Sequence, residues 1–308
     1  MKYLVGVEGG GTKTSIAIAD ETGKILNKGV SGPSNFLFIG IDKASENIIN
    51  GINSCLESLN LDKSVLDTII LGLTGAGRLF ERNRMEYGFR DFSVGLGFNF
   101  KNIIVDSDAR ISLEASFPNK AGMVLIAGTG SIMFGKDDAG NTFRVGGWGR
   151  ILGDEGSGYV IGRKALIAVV RAIDGRGEQT LLSELLDKKF NLNSLETIVK
   201  AIYTDNFGIA SIAPTVFDAA QKNDKIAISI LDEAVEDLCL HIKTMVEKIQ
   251  FKDTLGLSFV GSILTNDNYI KNNLLNIIKD RFPFIVLNYN DADPLEGAIV
   301  MALNATKS

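Results

Sequence analysis

Cysteine and histidine are scarce in this sequence, which contains two cysteines and one histidine among 308 residues. Cys55 and Cys239 lie far apart and lack the spacing of metal ligands. This argues against a disulfide framework or a cysteine-rich metal site and favours a reducing compartment. His241 falls within an apolar helical pattern, far from the motifs described below. We therefore interpret it as a structural or surface residue rather than a catalytic one.

Long apolar runs and an excess of positive charge are also missing. No apolar segment approaches the length of a membrane span, and the start of the sequence shows no signal peptide. The formal net charge is −5, which gives no attraction for a nucleic acid backbone, although backbone N–H groups can still bind a small anion. We expect a cytoplasmic protein that binds small molecules and contacts neither nucleic acid nor membrane.

The residues that are present indicate a duplicated α/β pattern. Each half opens with a strand, a glycine turn that carries hydroxyl residues, a second strand and a polar turn. Apolar residues at helical spacing separate the later strands. Strands are predicted at 3–7, 14–19, 25–26, 68–73, 103–105, 123–127, 132–135, 257–260 and 284–287. Helices are predicted at 41–59, through much of 156–248 with one at 226–249, and after Asp293, an N-cap followed by Pro294.

This pattern predicts an α/β protein with two duplicated domains. The first domain comprises residues 1–117, completed by the C-terminal helix 293–308, and the second comprises residues 118–292. A length of 308 residues suits two domains of ordinary size. Because ligands commonly bind at domain interfaces, we expect the active site in a cleft between the two lobes.

Two glycine loops occupy corresponding places in the two halves. The first runs from Gly9 to Thr14 and the second from Gly128 to Ser131. Glycines allow close approach of the backbone to phosphate oxygens, and successive N–H groups form an anion-binding concavity. A plain hairpin turn is the alternative for either loop alone, but the pair favours binding of a nucleoside triphosphate. Gly261 and Ser262 form a third loop, either for the adenosine or as an ordinary strand-to-helix turn.

Asp106 and Asp108 follow a predicted strand. A carboxylate at such a strand end can accept a proton from a sugar hydroxyl as it attacks phosphorus. The alternative role is an N-cap for the following helix, which Asp106 or Ser107 can fill. We favour Asp108 as the chemical residue.

The segment from Gly146 to Gly158 is rich in glycine and contains the single tryptophan, Trp148. So many glycines are costly to order, which favours a loop fitted closely to a ligand over a structural turn. Trp148 offers an apolar face to a sugar, and Asp154 offers a carboxylate for its hydroxyls.

Five motifs together resemble a known family. They are residues 6–12, Asp108-Ala109, residues 128–131, the Gly-Gly-Trp-Gly and Gly-Asp-Glu-Gly-Ser block within 146–157, and Asp293 to Ala298. In this order they resemble the N-acetylglucosamine kinase branch of the BadF/BadG/BcrA/BcrD ATPase family, within the sugar kinase, heat-shock chaperone and actin superfamily. The resemblance implies a two-lobed actin-like homodimer that uses ATP and Mg²⁺ to phosphorylate an amino sugar, N-acetylglucosamine at its 6-hydroxyl.

The resemblance also implies roles for individual residues. Asp108 corresponds to the catalytic base, and Glu8 lies where relatives carry an acid that contacts magnesium through water. The sugar contacts implied are Asn35, Asp108, Ser131, Gly147, Trp148 and Asp154. The ATP contacts implied are Gly10, Gly11, Thr12, Lys13, Gly128, Thr129, Gly130, Ala210, Gly261 and Ser262.

One departure leaves the sugar open. Related kinases carry a tryptophan after the asparagine that corresponds to Asn35, whereas this chain has Phe36-Leu37-Phe38, which we expect to supply apolar surface to the sugar. N-acetylmuramic acid, glucosamine and glucose remain alternatives. An ATPase that activates a dehydratase or reductase is a weaker alternative, because it needs a cluster-binding cysteine and both cysteines fit core positions. A non-catalytic sensor would not need Asp108 together with both loops.

Overall fold

The computed structural model describes residues 2–289 and 292–307. Contacts divide the chain into two compact units, Met1–Lys120 with Asn290–Ser308, and Ala121–Tyr289. Each unit contains one five-stranded sheet covered by helices, so the predicted α/β class is confirmed. Within the described ranges, no helix combines the length and apolar character needed to cross a membrane.

The strands agree with those predicted, with one addition. The ten strands of the described chain are β1 (Tyr3–Gly9), β2 (Thr14–Ala19), β3 (Ile25–Ser31), β4 (Leu66–Leu73), β5 (Asn102–Asp106), β6 (Gly122–Ala127), β7 (Ser131–Lys136), β8 (Thr142–Gly146), β9 (Leu255–Val260) and β10 (Ile285–Asn288). The sequence analysis did not predict β8, because its residues are only partly buried and lead directly into the glycine segment.

The helices include the three that were predicted with bounds. The 41–59 helix has the predicted bounds, the 226–249 helix is shifted by one residue at each end, and the C-terminal helix predicted at 293–308 is described from Pro294 to Lys307. The twelve α-helices among the described residues are α1 (Phe36–Ile39), α2 (Ile41–Leu59), α3 (Leu79–Gly95), α4 (Asp108–Ser116), α5 (Gly158–Ile173), α6 (Leu181–Phe190), α7 (Leu195–Tyr203), α8 (Ala213–Gln221), α9 (Lys225–Lys248), α10 (Ser262–Thr265), α11 (Tyr269–Arg281) and α12 (Pro294–Lys307).

The two sheets have the same topology, which confirms the duplication. The first has the order β3-β2-β1-β4-β5, and the second, taken from the corresponding edge, has the order β8-β7-β6-β9-β10. In each sheet, the first three strands in chain order pair antiparallel, one with the next. The first of them also pairs parallel with the fourth strand, which in turn pairs parallel with the fifth. The carboxyl ends of the parallel strands therefore meet at one edge of each sheet, where the polar motifs follow.

Both faces of the first sheet are buried, which explains why β4 is buried at every position. Alternate residues of β1 point to opposite faces. Val5 and Val7 pack in a cluster with α2, whereas Leu4 packs with α12. The start of α12 is capped as predicted, because Asp293 Oδ1 accepts a hydrogen bond from the N–H of Leu295 at 2.9 Å.

The two cysteines are core residues, as predicted. Cys55 is 1% exposed in the first unit and Cys239 is 5% exposed in the second. Burial raises the pKa of both thiols above the ordinary value, which disfavours the thiolate needed for a metal or cluster ligand.

Candidate active site

The first glycine loop is shaped by backbone hydrogen bonds. The N–H of Gly10 donates to Lys13 O at 3.1 Å and closes the turn between β1 and β2. Gly10 O in turn accepts from the N–H groups of Ser34 and Asn35 at 2.9 and 3.1 Å. The turn is therefore tied to the segment that follows β3, while Gly11 to Lys13 stay exposed to solvent.

Asp108 lies in a cavity with this loop. The cavity has a volume of about 240 Å³, and the residues that line it are Glu8, Gly9, Gly10, Gly11, Thr12, Lys13, Ser15, Thr74 and Asp108. Asp108 Oδ2 accepts a hydrogen bond from Thr74 Oγ1 at 2.6 Å, and Oδ1 accepts from its neighbour Ala109 N–H at 2.8 Å. The carboxylate is thereby held in one orientation at the carboxyl edge of β4 and β5.

The other two candidates at this strand end have structural contacts. Ser107 caps α4, because its Oγ accepts from the N–H of Arg110 at 3.2 Å. Asp106 accepts from the N–H of Ser107 at 2.8 Å and lies 3.4 Å from an Arg82 guanidinium nitrogen. Asp108, and not Asp106, lines the cavity.

The electrostatics of the cavity suit a hard cation. Burial raises the pKa of Glu8, and the charges of Asp293 and Asp108 raise it further, whereas Lys13 lowers it. Within the part of the chain that the structure describes, no three histidine, cysteine or acidic residues form a metal-binding group. Mg²⁺ is commonly held by one or two carboxylates, waters and substrate phosphates, so this sparse oxygen donor set fits it.

Asn35 has a buried amide. It is 7% exposed, and its Oδ1 has no hydrogen-bond partner among the described residues. A Cβ added to Gly75 would lie 3.4 Å from this oxygen, which places the amide beside the loop after β4. The expectation that Phe36 offers apolar surface is wrong, because Phe36 is 1% exposed and belongs to the core, whereas Phe38 is 86% exposed.

The second glycine loop is more enclosed than the first. Gly128 O and Thr129 O accept hydrogen bonds from Gly158 N–H and Tyr159 N–H at 2.8 and 3.2 Å, so the start of α5 holds the loop's carbonyl groups. The N–H of Gly128 donates to Gly130 O at 2.9 Å.

Three further predicted ATP contacts lie beside this loop. Gly261 follows β9 with φ +90°, and a Cβ there would lie 2.4 Å from Ala127 O. Ser262 begins α10 directly after it. A Cβ on Gly158 would lie 3.1 Å from Gly128 O and 3.6 Å from Ala210 O. The structure therefore gathers the predicted residues of the second unit at the ends of β6 and β9.

Gly10 of the first loop and Gly130 of the second are not among the residues with positive φ. The positive values occur instead in the third loop and in the glycine segment, at Gly146, Gly147, Gly149, Gly156 and Gly261. The first two loops complete tight hairpin turns with ordinary φ values.

Asp154, a residue of the glycine segment, lies beside the second loop. It has φ +59°, and a Cβ on Gly130 would lie 3.1 Å from Asp154 Oδ2. Burial raises the pKa of Asp154 and nearby Glu155 raises it further, while the backbone N–H groups of Ser131 and Gly149 lower it. The hydroxyl of Ser131 donates to Glu155 O at 2.6 Å.

The predicted separation of His241 from the motifs is wrong. A Cβ on Gly146 would lie 2.2 Å from His241 Nε2, because α9 packs against β8 and brings the imidazole beneath the glycine segment. His241 Nδ1 is 2.8 Å from Asp237 O, and Nε2 is buried with no partner in the described chain. Trp148, close by in sequence, is 70% exposed.

Sequence reasoning missed two residues of these arrangements, Thr74 and Arg144. Thr74 had a usable signal, since it is a hydroxyl residue directly after a buried strand. Arg144 contacts the glycine turn from within β8, a strand that was not predicted.

The chain is similar to known proteins over nearly its whole length. The model of the BadF/BadG/BcrA/BcrD ATPase family matches residues 5–302. The N-acetylmuramic acid/N-acetylglucosamine kinase of Clostridium acetobutylicum is 33% identical over 306 residues and 98% of each chain. The N-acetyl-D-glucosamine kinase of Dictyostelium discoideum is 30% identical over 320 residues and 99% of each chain.

A solved structure from Chromobacterium violaceum, provisionally described as an N-acetylglucosamine kinase, has a TM-score of 0.70 with 23% identity. The alignment covers 98% of this chain and 99% of that one. This likeness shows the fold, a duplicated α/β architecture of the actin-like kind.

Proposed function

This chain belongs to the BadF/BadG/BcrA/BcrD ATPase family, and we propose that it transfers the γ-phosphoryl group of ATP to the 6-hydroxyl of N-acetylglucosamine. It is an ATP-dependent sugar kinase of the amino sugar class, as the names of the two curated relatives described above indicate. The finer choice of N-acetylglucosamine is supported by its presence in both of those names.

The observation that carries this proposal is the placement of Asp108. Its carboxylate is oriented by Thr74 in a cavity lined by the first glycine loop. In the proposed reaction Asp108 accepts the proton of the 6-hydroxyl as that oxygen attacks the γ-phosphorus, and the bond from phosphorus to the ADP oxygen breaks. Glu8 would hold Mg²⁺ through water, and the ion would neutralise phosphate charge when bound.

The proposed ATP contacts are mainly backbone groups of the loops. In the first unit they come from Gly10, Gly11 and Thr12, with Lys13 adding a cation. In the second unit the proposed ATP contacts are Gly128, Thr129, Gly130, Ala210, Gly261 and Ser262. Phosphate binding by backbone N–H groups is consistent with a chain of net charge −5, because it needs no excess of cationic residues.

The proposed sugar contacts are supported most strongly at Asn35. A buried amide oxygen without a partner is costly, and a sugar hydroxyl would satisfy it. In the second unit the proposed contacts are Ser131, Gly147, Trp148 and Asp154. Since the Ser131 hydroxyl already donates to Glu155 O, it would act towards the sugar as an acceptor.

A coupled ADP-release assay tests the proposal. N-acetylglucosamine, N-acetylmuramic acid, N-acetylmannosamine, glucosamine and glucose would be compared by kcat/KM, and phosphorus NMR would identify the product. We expect the highest value for N-acetylglucosamine and a 6-phosphate product. A higher value for another sugar would contradict the choice of substrate, and a phosphate at another oxygen would contradict the position.

We also propose that the protein is a cytoplasmic homodimer. The side chains of Leu195, Val199 and Tyr203, spaced four residues apart on α7, are 67%, 43% and 82% exposed, which supports a subunit contact there. Light scattering should give twice the chain mass of 33.2 kDa. The mass of a single chain would contradict the dimer.

A further inference from the structure

Arg144 contacts three consecutive residues, Gly146, Gly147 and Trp148, which form a glycine turn where β8 ends. Its Nε donates to Gly146 O at 3.1 Å, and its Nη2 donates to Gly147 O. The guanidinium carbon also lies 5.4 Å from the centroid of the Trp148 ring. One half-buried side chain thus connects the strand, both glycine carbonyl groups and the indole.

The same turn is in close contact with two other elements. A Cβ on Gly146 would lie 2.2 Å from His241 Nε2 on α9, and a Cβ on Gly147 would lie 2.3 Å from Ile132 Cδ1 on β7. The φ values of the two glycines are +70° and +68°. Glycine is therefore required at both positions, and the flexibility that two glycines bring must be restrained by neighbouring side chains.

We propose that Arg144 is a positioning residue for the sugar, and that it holds Gly147 and Trp148 in the conformation that binds substrate. This inference rests on the proposed function, in which those two residues contact the sugar. Trp148 is 70% exposed, so Arg144 supplies one of its few restraints. Without the guanidinium, the turn would be mobile in the free protein and would have to become ordered when the sugar binds. The entropy cost of that ordering would weaken sugar binding.

The geometry requires arginine rather than any cation. A guanidinium presents several N–H donors in a planar fork and can donate to two carbonyl groups while stacking on an aromatic ring. A lysine ammonium on its flexible stem keeps the charge but does not reproduce this fork. Arg144→Lys therefore separates the effect of the geometry from the effect of the charge.

The kinetic test compares Arg144→Met and Arg144→Lys with Arg171→Met, an exposed arginine of α5 in the same unit. We expect Arg144→Met to raise the KM for the sugar by about ten- to a hundredfold, Arg144→Lys by roughly tenfold, and Arg171→Met to leave it unchanged. The KM for ATP should stay within about twofold in all three, since loss of a local restraint moves only the sugar step. The proposal would be overturned if Arg144→Met left the KM for the sugar unchanged, or if it raised the KM for the sugar and the KM for ATP equally.

Fluorescence gives a readout that does not depend on catalysis. Trp148 is the single tryptophan, so its emission and anisotropy report this turn directly. In the sugar-free protein, Arg144→Met and Arg144→Lys should lower the anisotropy and shift the emission, with far-UV circular dichroism unchanged. Identical tryptophan signals in wild type and both variants would overturn the positioning role.

A double variant distinguishes failure of this inference from failure of the proposed function. In a Trp148→Ala background, Arg144→Met should add less to the sugar KM than it does in the wild type, because the two side chains act together. Full additivity would overturn the proposal. If the wild type phosphorylated no sugar, the proposed function would fail, and the anisotropy comparison would still decide whether Arg144 holds the turn.

Discussion

The two glycine loops occupy equivalent positions in sheets of identical topology, yet they are supported differently. The tip of the first, Gly11 to Lys13, is exposed, and a Cβ on Gly11 would meet no atom within 4 Å. The second is enclosed by the start of α5 and by Asp154, which lies 3.1 Å from where a Cβ on Gly130 would be. Duplication preserved the strand–turn–strand frame, but the surroundings of the two turns have diverged.

This difference separates two kinds of sensitivity. Around the first loop, side chains such as Asp108 and Thr74 can be changed without disturbing the turn, because it is held by backbone hydrogen bonds. Around the second, the loop contacts the start of α5 and Asp154, so a change in the loop itself alters these neighbours. We expect variants of the first unit to affect chemistry and those of the second to affect stability and chemistry together.

The largest expected effect is at Asp108. Asp108→Asn removes the proposed base and should lower kcat by about a hundred- to ten-thousandfold, with ATP affinity nearly unchanged. Steady-state kinetics and nucleotide titration check both parts. Asp106→Asn is the matched control, since Asp106 follows the same strand but does not line the cavity. Loss of activity in Asp106→Asn with retention in Asp108→Asn would show that the choice of carboxylate is wrong.

A pair of alanine substitutions extends the comparison to the third loop, where a Cβ on Gly261 would lie 3.2 Å from Gly128 N at the start of the second loop. Gly261→Ala places a Cβ 2.4 Å from Ala127 O at φ +90°, so the free energy of unfolding should fall by about 1–3 kcal/mol. Gly11→Ala enters open space, so that free energy should change by less than about 0.5 kcal/mol while the KM for ATP rises. Urea unfolding and kinetics measure the two quantities. Equal destabilisation by the two variants would refute the proposed difference between the exposed tip of the first loop and the enclosed backbone where the third loop meets the second.

Thr74 provides an intermediate effect. Thr74→Val keeps the shape but removes the hydroxyl that donates to Asp108 at 2.6 Å, and kcat should fall roughly tenfold. Thr74→Ser retains the donor and should keep most of the activity. Steady-state kinetics measure kcat for the two variants, with the KM for ATP as the internal control. If serine were as damaging as valine, the hydroxyl would not be the important group.

The smallest expected effect is the pH dependence of stability at Glu8. Burial raises the pKa of Glu8 in the folded protein. The folded protein therefore loses stability as the pH rises from the ordinary pKa to this raised pKa and the Glu8 carboxyl ionises. Glu8→Gln should therefore increase the free energy of unfolding near neutral pH, and the gain should vanish below the ordinary value of 4.5. Urea unfolding at several pH values checks this, with exposed Glu21→Gln as the control. A gain that persists in acid would contradict the assignment to Glu8.

Much of the fold could be predicted because its signals are local. The helix at 41–59 follows from apolar spacing, and the hairpin around the first loop follows from glycines between two strands. β8 escaped prediction although its residues alternate polar and apolar from Thr142 to Val145, because the strand is only five residues long and leads directly into glycines. The prediction that Phe36 faces the sugar was wrong because an apolar residue beside a polar motif can face either the core or the ligand, and the sequence does not distinguish the two.

The sequence by itself determined the duplicated α/β pattern, the two loops, Asp108 as the favoured base and the family resemblance, since each rests on short motifs or periodicity. Tertiary structure alone decided which side chains act together. Thr74 and Asp108 meet because β4 and β5 are neighbours in the sheet, and His241 reaches Gly146 because α9 packs on β8. Periodicity within one element tells which face is buried, but the partner of that face depends on strand order and helix packing.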